Sequence, residues 1–428
     1  MKINNSDIKE VLNKSFIALL IRVLGFVAGY LFIYFTVKYF GSETQGRLSL
    51  AFSFMILGGL ISRLGIDINF VKIFAIDNNF ENAKGIYFKT LPWIFVLSSL
   101  ISVLVFLFAD LISIYFFNDS ELSIYLKWTA PCILLFTFLL INAGVFRGLR
   151  HNTLYSFLFN GGRFLFTILA LFVLFYFRVD NSESTIIAHS ILILILFLIS
   201  AYYIYKYLIP VSKKTTYKTR IFIVDSLPML FSATMTILLG WADTIILGVY
   251  ETAEVVGRYS VALKIAVVVS FTLQALNSIL APKLSRSFHN NDLKTFNILI
   301  KSTTRINLII SFVVVLVLIV FRIPILEIFG DEFTTVSTTL VILCIGQLFN
   351  AACGPVGTVL QMTGHHKTFR NILLIALVIN ITLNLFLIKK YSVDGVAIAT
   401  ATGLAFWNIA SLVYAKKVIK AKMNELNS

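Results

Sequence analysis

Apolar residues in this chain gather into twelve runs separated by short polar gaps. The runs fall near 15–37, 48–70, 86–108, 128–146, 155–177, 186–208, 221–249, 258–280, 303–321, 336–360, 369–388 and 393–415. A helix needs about 20 residues to cross a hydrocarbon core, and each run is close to or above that length. The pattern predicts an all-α polytopic membrane protein with twelve transmembrane helices. The longest polar gap past the N-terminal half, residues 209–220, lies between runs six and seven. The predicted organisation is therefore a six-helix lobe over 1–208, a cytoplasmic inter-lobe linker over 209–220 and a second six-helix lobe over 221–428.

Charge orients these spans. Lys2, Lys9 and Lys14 precede the first run, and Lys416, Lys417, Lys420 and Lys422 follow the last. Between them, basic residues collect in alternate gaps. These hold Lys72, Lys84 and Lys89; Arg147 and Arg150; Lys206, Lys213, Lys214, Lys218 and Arg220; Lys283, Arg286, Lys294, Lys301 and Arg305; and Lys367 and Arg370. The intervening gaps carry Asp110, Asp119 and Glu121, then Asp180 and Glu183, Glu251 and Glu254, and Glu327, Asp331 and Glu332. Loops rich in Lys and Arg stay on the cytoplasmic side, so both termini are expected there.

Composition agrees with lipid as solvent: 58% apolar residues, 13% charged residues and a mean hydropathy of +0.89. The net charge of +15 sits in clusters at the ends of apolar runs. It reads as topology and as attraction to anionic headgroups, not as a nucleic-acid surface. Cys132, Cys344 and Cys353 all fall inside apolar stretches and read as small core residues. No cleavable signal peptide is expected, because the first apolar run is long enough to remain a span. Every outer gap is short, so a membrane enzyme would lack a loop to carry its catalytic groups.

An internal echo supports two related halves. Gly46-Arg47-Leu48-Ser49-Leu50-Ala51 follows run one, and Gly257-Arg258-Tyr259-Ser260-Val261-Ala262 follows run seven. A weaker echo aligns Arg147–Asn152, after run four, with Thr363–Thr368, after run ten. Repeated halves are a transporter architecture. Pro92, Pro131, Pro228 and Pro355 lie within or at the start of spans, where each favours a kink. Gly58-Gly59, Gly161-Gly162 and Gly354-Pro355 add places where helices bend or pack closely.

Ionisable groups inside spans are costly and mark functional positions. Arg22, Arg63 and Arg163 lie seven or eight residues inside the basic ends of their runs, roughly 10–12 Å deep at about 1.5 Å per residue. Asp67 stands one helical turn from Arg63 and neutralises one guanidinium. The remaining positive charge at one level suits a bound anion, and guanidinium forks match phosphate. The competing reading is that each Arg snorkels to the interface on its own. Asp243 and Lys264 lie at similar depth in adjacent spans and read first as a structural ion pair, with a gate or proton site as the alternative. His151, His189, His289, His365 and His366 read as solvated surface.

Several stretches resemble one family. They include Leu227-Pro228, Gly240-Trp241-Ala242-Asp243-Thr244-Ile245-Ile246-Leu247-Gly248, the run from Val256 through Lys264 to Ile265, and Ala281-Pro282-Lys283-Leu284-Ser285. Arg22 to Tyr30, Phe146-Arg147-Gly148-Leu149 and Asp394 to Thr400 join them. The chain resembles Wzx-type polysaccharide or O-antigen flippases of the MATE-like (multidrug/oligosaccharidyl-lipid/polysaccharide, MOP) exporter superfamily.

That resemblance implies two six-helix lobes in a V around a central cavity, in a bacterial inner membrane. It implies transport of an undecaprenyl-diphosphate-linked glycan from the cytoplasmic to the periplasmic leaflet. Arg22, Arg63, Arg163 and Lys264 would then meet the diphosphate, and Asp67 and Asp243 would serve in coupling or gating. No cofactor is expected beyond coupling to a proton or sodium gradient. Expected partners are membrane lipids, the lipid-linked glycan and glycan polymerase or chain-length proteins, and no nucleic acid. The alternative is a cation-coupled multidrug exporter of the same superfamily, which would favour an acidic cavity. Four basic against two acidic groups inside the spans count against it.

Overall fold

The computed structural model describes residues 5–76, 81–177, 181–208 and 215–427. Residues 209–214 of the polar gap, with Lys213 and Lys214, lie outside the described residues, as do Lys2 and Asp180. Among the described residues the chain is almost entirely helical, with no strand. Eight helices are long and apolar enough to cross a membrane, or ten when two bent pairs are each counted as one span. The protein is a multi-pass membrane protein. Two of its helices far exceed a single crossing, Leu20–Arg63 with 44 residues and His366–Leu426 with 61. Each is interrupted by one non-helical residue, Gly41 (φ 80°) and Ser392 (φ 46°) respectively.

The chain separates into two compact units, Met1–Thr234 and Met235–Ser428. In the first, Leu122–Gly148 is the central helix. It packs against the first helix and against Ile66–Ile76, Glu81–Leu107 and Ser184–Leu208. Its most apolar window is 78% buried, and its side chains are apolar all round, as a helix enclosed by others requires. Gly144 permits the closest approach, since a Cβ there would lie 2.5 Å from the Asp67 carbonyl oxygen. Glu81–Leu107 is the opposite case, with only 17% of its window buried. Trp93, Val96, Leu100 and Leu107 face outward from it, a surface that lipid tails tolerate and water does not. The second unit follows the same plan around Ser337–Cys353, which packs on Ala253–His289, Leu293–Val320 and His366–Asn427.

Residues Thr219–Phe231 fold with the first unit. Asn69 Nδ2 donates to Ser226 Oγ at 2.9 Å, and the Phe70 and Phe222 rings lie 5.4 Å apart. Gly65 (φ +75°) allows this contact, because a Cβ there would stand 2.5 Å from the Ser226 carbonyl oxygen. The helix then bends by 50° before continuing as Thr234–Tyr250. The boundary between units falls at this bend, so residues 221–234, read from sequence as the start of the second lobe, pack with the first.

Helix breaks do not all follow the prolines. Pro92 and Pro131 sit inside continuous helices. A missing backbone donor is readily compensated within a membrane bundle. Breaks come at Leu64–Gly65 and at the 50° bend between Asn152–Phe159 and Gly162–Tyr176, while the break at Gly354 adjoins Pro355 and the bend after Phe231 follows Pro228. Gly58 and Gly59 lie in unbroken helix and serve close packing on Ile133 and Phe136. The three cysteines are buried free thiols.

Two turns relate the units in detail. After the central helix, Arg150 N donates to Arg147 O at 3.1 Å and His151 N to Phe146 O at 2.9 Å. In the second unit Gly364 N donates to Gln361 O at 3.4 Å and His365 N to Leu360 O at 2.8 Å. Both are doubly bonded helix ends whose penultimate position is left-handed. Arg150 (φ 63°) occupies it in one and Gly364 (φ 85°) in the other. The weaker sequence echo is therefore displaced by two residues: Arg150 matches Gly364, and His151 matches His365. The following contacts match too, with His151 stacked on Tyr207 at 4.6 Å and His365 edge-on to Tyr414 at 5.6 Å.

Candidate functional site

The three arginines of the first unit have three different settings. Arg22 is exposed; its Nε donates to Ser156 Oγ at 3.3 Å, and its guanidinium lies 5.9 Å from the Tyr155 ring. Arg147 approaches the same ring from the end of the central helix at 5.3 Å. One aromatic ring thus gathers two guanidiniums, a contact cations make favourably with ring quadrupoles. Sequence spacing placed Arg147 in a loop and did not pair it with Arg22.

Arg63 is buried. Its Nη1 donates to Asp67 Oδ2 at 2.6 Å and its Nε to the Gly59 carbonyl at 3.0 Å. The pairing spans the break at Leu64 (φ 51°) and Gly65, so it joins the end of one helix to the start of the next. Asp67 in the first turn of Ile66–Ile76 also faces the positive end of that helix dipole.

Arg163 lies among aromatic rings. Its guanidinium is 5.3 Å from Phe52, 5.3 Å from Phe136 and 5.0 Å from Phe164. Its Nε donates to His189 Nε2 at 3.3 Å, which requires that nitrogen to carry a lone pair. Thr167 Oγ1 donates to the Arg163 carbonyl at 2.7 Å and stands 3.3 Å from His189 Nδ1, the position for accepting its proton. These contacts assign a neutral imidazole with hydrogen on Nδ1. His189 is fully buried, which corrects the reading of it as solvated surface. A polar side chain on a helix end that packs inward has no distinctive sequence signature.

Among the described residues no hydrogen bond, ion pair or shared ring joins any two of Arg22, Arg63 and Arg163. Arg22 rests on a hydroxyl and a ring, Arg63 on a carboxylate and a carbonyl, and Arg163 on an imidazole and three rings.

In the second unit Asp243 is the centre of a buried polar cluster. Asn384 Nδ2 donates to its Oδ1 at 2.7 Å and Asn380 Nδ2 to the same oxygen at 3.1 Å. Tyr259 Oη donates to Oδ2 at 3.3 Å, and the Thr400 hydroxyl also donates to that oxygen. Asp243 is 1% exposed. Lys264 is exposed with its ammonium 5.9 Å from the Trp241 ring, and no ion pair joins it to Asp243 among the described residues. The expected Asp243–Lys264 pair is replaced by neutral donors, because the carboxylate turns toward the His366–Asn427 helix while Lys264 keeps an outward face. The sequence signal was present in Asn380 and Asn384, two amides at i, i+4 in an otherwise apolar run, followed by Thr400.

Arg47 and Arg258, the echoed arginines, have roles that the sequence reading passed over. Arg47 Nε bonds Asp119 Oδ2 at 2.7 Å and its Nη2 bonds Glu43 Oε1 at 2.6 Å; Nη1 bonds Glu121. Arg258 Nη2 bonds Glu254 Oε1 at 2.8 Å and Nη1 bonds Thr335 Oγ1 at 3.1 Å. Each arginine ties an early helix of its unit to the loop preceding the central helix.

The chain is thus a helical multi-pass protein with arginines inside the helices of one unit and a buried carboxylate in the other. Solved structures show the same fold. The lipid II flippase MurJ in an inward closed conformation superposes with a TM-score of 0.74 at 17% identity, over 95% of this chain and 87% of that one. An inward-facing multidrug resistance MATE family transporter of the MOP superfamily gives 0.72 at 12% identity, over 95% and 99%. The sequence model of the family described as polysaccharide biosynthesis protein matches residues 11–288, and the MatE model matches 228–386. The chain belongs to the polysaccharide biosynthesis protein family. It is also 26% identical over 183 residues to a probable low-salt glycan biosynthesis flippase, Agl15, of Haloferax volcanii. That match spans 42% of this chain and about two fifths (39%) of the relative's length.

Proposed function

We propose that this protein is a flippase for glycans linked to undecaprenyl diphosphate, such as O-antigen or capsule repeat units. It moves them from the cytoplasmic to the periplasmic leaflet of a bacterial inner membrane, with both termini cytoplasmic. In this reading it is a transporter and not an enzyme. The helices broken at Gly41 and Ser392 each count as two crossings, which brings the ten candidate spans to twelve.

The carrying observation is the charge inside the first unit. Arg22, Arg63 and Arg163 stand in apolar helices, with Asp67 the one carboxylate bonded to any of them among the described residues. Such an excess needs an anionic ligand, and guanidinium groups suit the diphosphate. Arg22, exposed and sharing Tyr155 with Arg147, makes the first contact. Arg63 and Arg163, held by Asp67 and His189, provide positive charge at further points, and Lys264 provides it from the second unit. The family match and the similarity to a glycan biosynthesis flippase point the same way.

Asp243 supplies the coupling site of this reading. One carboxylate, two amide oxygens and a hydroxyl form an oxygen donor set for a single monovalent cation, a proton on Asp243 or a sodium ion. Asn384 Oδ1 is buried with no hydrogen bond among the described residues. Amide rotation would turn it toward such an ion.

The test is surface glycan display in a host lacking its own flippase. Arg22→Ala and Arg163→Ala abolish display at unchanged protein level. Arg63→Ala alone strands Asp67 at about 3 kcal/mol, so the informative variant is the double replacement Arg63→Met with Asp67→Leu. Normal display by the triple alanine variant of Arg22, Arg63 and Arg163 removes the diphosphate reading. Asp243→Asn abolishes the dependence of transport on the cation gradient. The multidrug reading draws on the MatE match and the MATE fold. A drug-susceptibility shift on deletion, without a change in glycan, decides for it.

A further inference from the structure

We propose that the first unit carries a second, separate site, which binds a phosphate-bearing lipid at its Lys/Arg-rich end. A cavity of ≈ 890 Å³ opens there between Ile21, the turn that begins at Arg150, and the Leu198–Tyr207 stretch of the Ser184–Leu208 helix. One end is charged, with Arg150 and His151 both exposed along its wall. The other is hydrocarbon, formed by Ile21, Phe157, Leu198 and Ile199. Tyrosines lie between, the residue type that sits where lipid meets water.

Arg150 is the informative residue. It occupies a left-handed position, φ 63°, where the equivalent turn of the second unit uses Gly364. A side chain there is disfavoured, and residues held in such conformations gather at ligand sites. His151, stacked on Tyr207 at 4.6 Å and 29°, is held beside it. A guanidinium over an apolar trough matches one ligand chemistry, a phosphate joined to a long hydrocarbon chain. Free phosphate would leave the trough unused, a neutral lipid would leave Arg150 without an anion, and a zwitterionic phospholipid offers a phosphate already offset by its own ammonium. Two sources carry that chemistry: an anionic phospholipid of the bilayer and a polyprenyl phosphate. None of the lining residues is Arg22, Arg63 or Arg163, so this site stands whether or not the flippase reading does.

The test uses the full-length protein in detergent, with bound lipid read by native mass spectrometry. The probes are phosphatidylglycerol, undecaprenyl phosphate, phosphatidylcholine and inorganic phosphate. One or both phosphate-bearing anionic lipids are retained in preference to phosphatidylcholine. Arg150→Gly lowers that retention roughly tenfold, as loss of a charge-assisted hydrogen bond implies, with Tm unchanged or raised. Arg150→Asn, which also accepts a left-handed backbone, behaves alike. Ile199→Trp fills the trough and lowers retention with Arg150 in place. Preference for phosphatidylglycerol identifies a bilayer lipid, and preference for undecaprenyl phosphate identifies a carrier lipid; both support the site. Equal retention of phosphatidylcholine, undiminished retention by Arg150→Gly, or binding of inorganic phosphate with no lipid overturns it.

Discussion

Arg47 and Arg258 occupy the same place in the short motif their two units share and bond to an acid four residues earlier, yet they are tied down very differently. Arg47 is 7% exposed at its side chain and holds three carboxylates, one of which, Asp119, is itself 13% exposed. Arg258 is 19% exposed and holds one carboxylate and one hydroxyl; its Nε has no partner among the described residues. The acids of the first unit's outer gap are thus structural partners of a buried cation, while those of the second lie nearer the ordinary surface. A charge pattern that reads as membrane orientation contains, at one end of one unit, a folded ionic knot.

The largest expected consequence is a difference in stability between matched variants. Arg47→Ala leaves Asp119 half-enclosed without its cation, at about 3 kcal/mol, the low end for breaking a buried pair. Arg258→Ala removes a mostly surface i, i+4 pair worth about 0.5 kcal/mol. For units of this size about 1 kcal/mol shifts Tm by roughly 2–4 °C, so Arg47→Ala lowers Tm by about 6–12 °C and Arg258→Ala by about 1–2 °C. Thermal unfolding in detergent reads both. Equal shifts would mean that the extra carboxylates on Arg47 add nothing, and the contrast between units disappears.

The turn at Arg150 and its counterpart at Gly364 offer a smaller and reversible contrast. A left-handed non-glycine residue costs about 1–2 kcal/mol. Arg150→Gly relieves that cost in the first unit, and Gly364→Arg introduces it in the second, where φ is 85°. The pair should move Tm in opposite directions by about 2–8 °C. If both lower Tm, the Arg150 side chain stabilises its own turn and the two turns are not equivalent.

Legibility from sequence followed the kind of interaction. Apolar runs and breaks at polar gaps are properties of contiguous residues, and they made the helical multi-pass architecture readable. The motif ending in Thr400 was visible, but its meeting with Asp243 was not. That contact closes a loop of more than a hundred residues and depends on helix rotation. Arg163 and His189 show the same limit, since nothing along either helix says which face turns inward. Two assignments erred for local reasons. The echo around Arg150 was aligned on a shared glycine letter, Gly148 with Gly364, when the shared feature is a left-handed backbone. Pro92 and Pro131 were read as kinks, yet their helices continue through them. The depth of Arg22, Arg63 and Arg163 is readable along each helix, but depth constrains one coordinate of three and leaves the faces they present unread.

The smallest contrast between units is one of pH, and its sign follows from Asp110. This carboxylate accepts hydrogen bonds from Lys127 Nζ at 2.8 and 2.9 Å and from the Ser123 hydroxyl. Lys127, then Ser123, hold its pKa below the ordinary value of 3.8. A carboxyl whose folded pKa is depressed adds stability above its unfolded value and loses it as pH falls through the folded one. The matching loop of the second unit is different, since its cation, Arg322, donates from Nη1 to the Ile319 carbonyl at 3.0 Å, a partner that does not titrate. Acidification from pH 5 toward pH 3 should therefore loosen 108–124 before 322–336. Hydrogen exchange of the two segments, corrected for intrinsic rates, measures this. Asp110→Asn should flatten the response of the first segment in that range. If the response persists in the variant, the acid sensitivity belongs to the Arg47 knot, and the contrast between units rests on that knot alone.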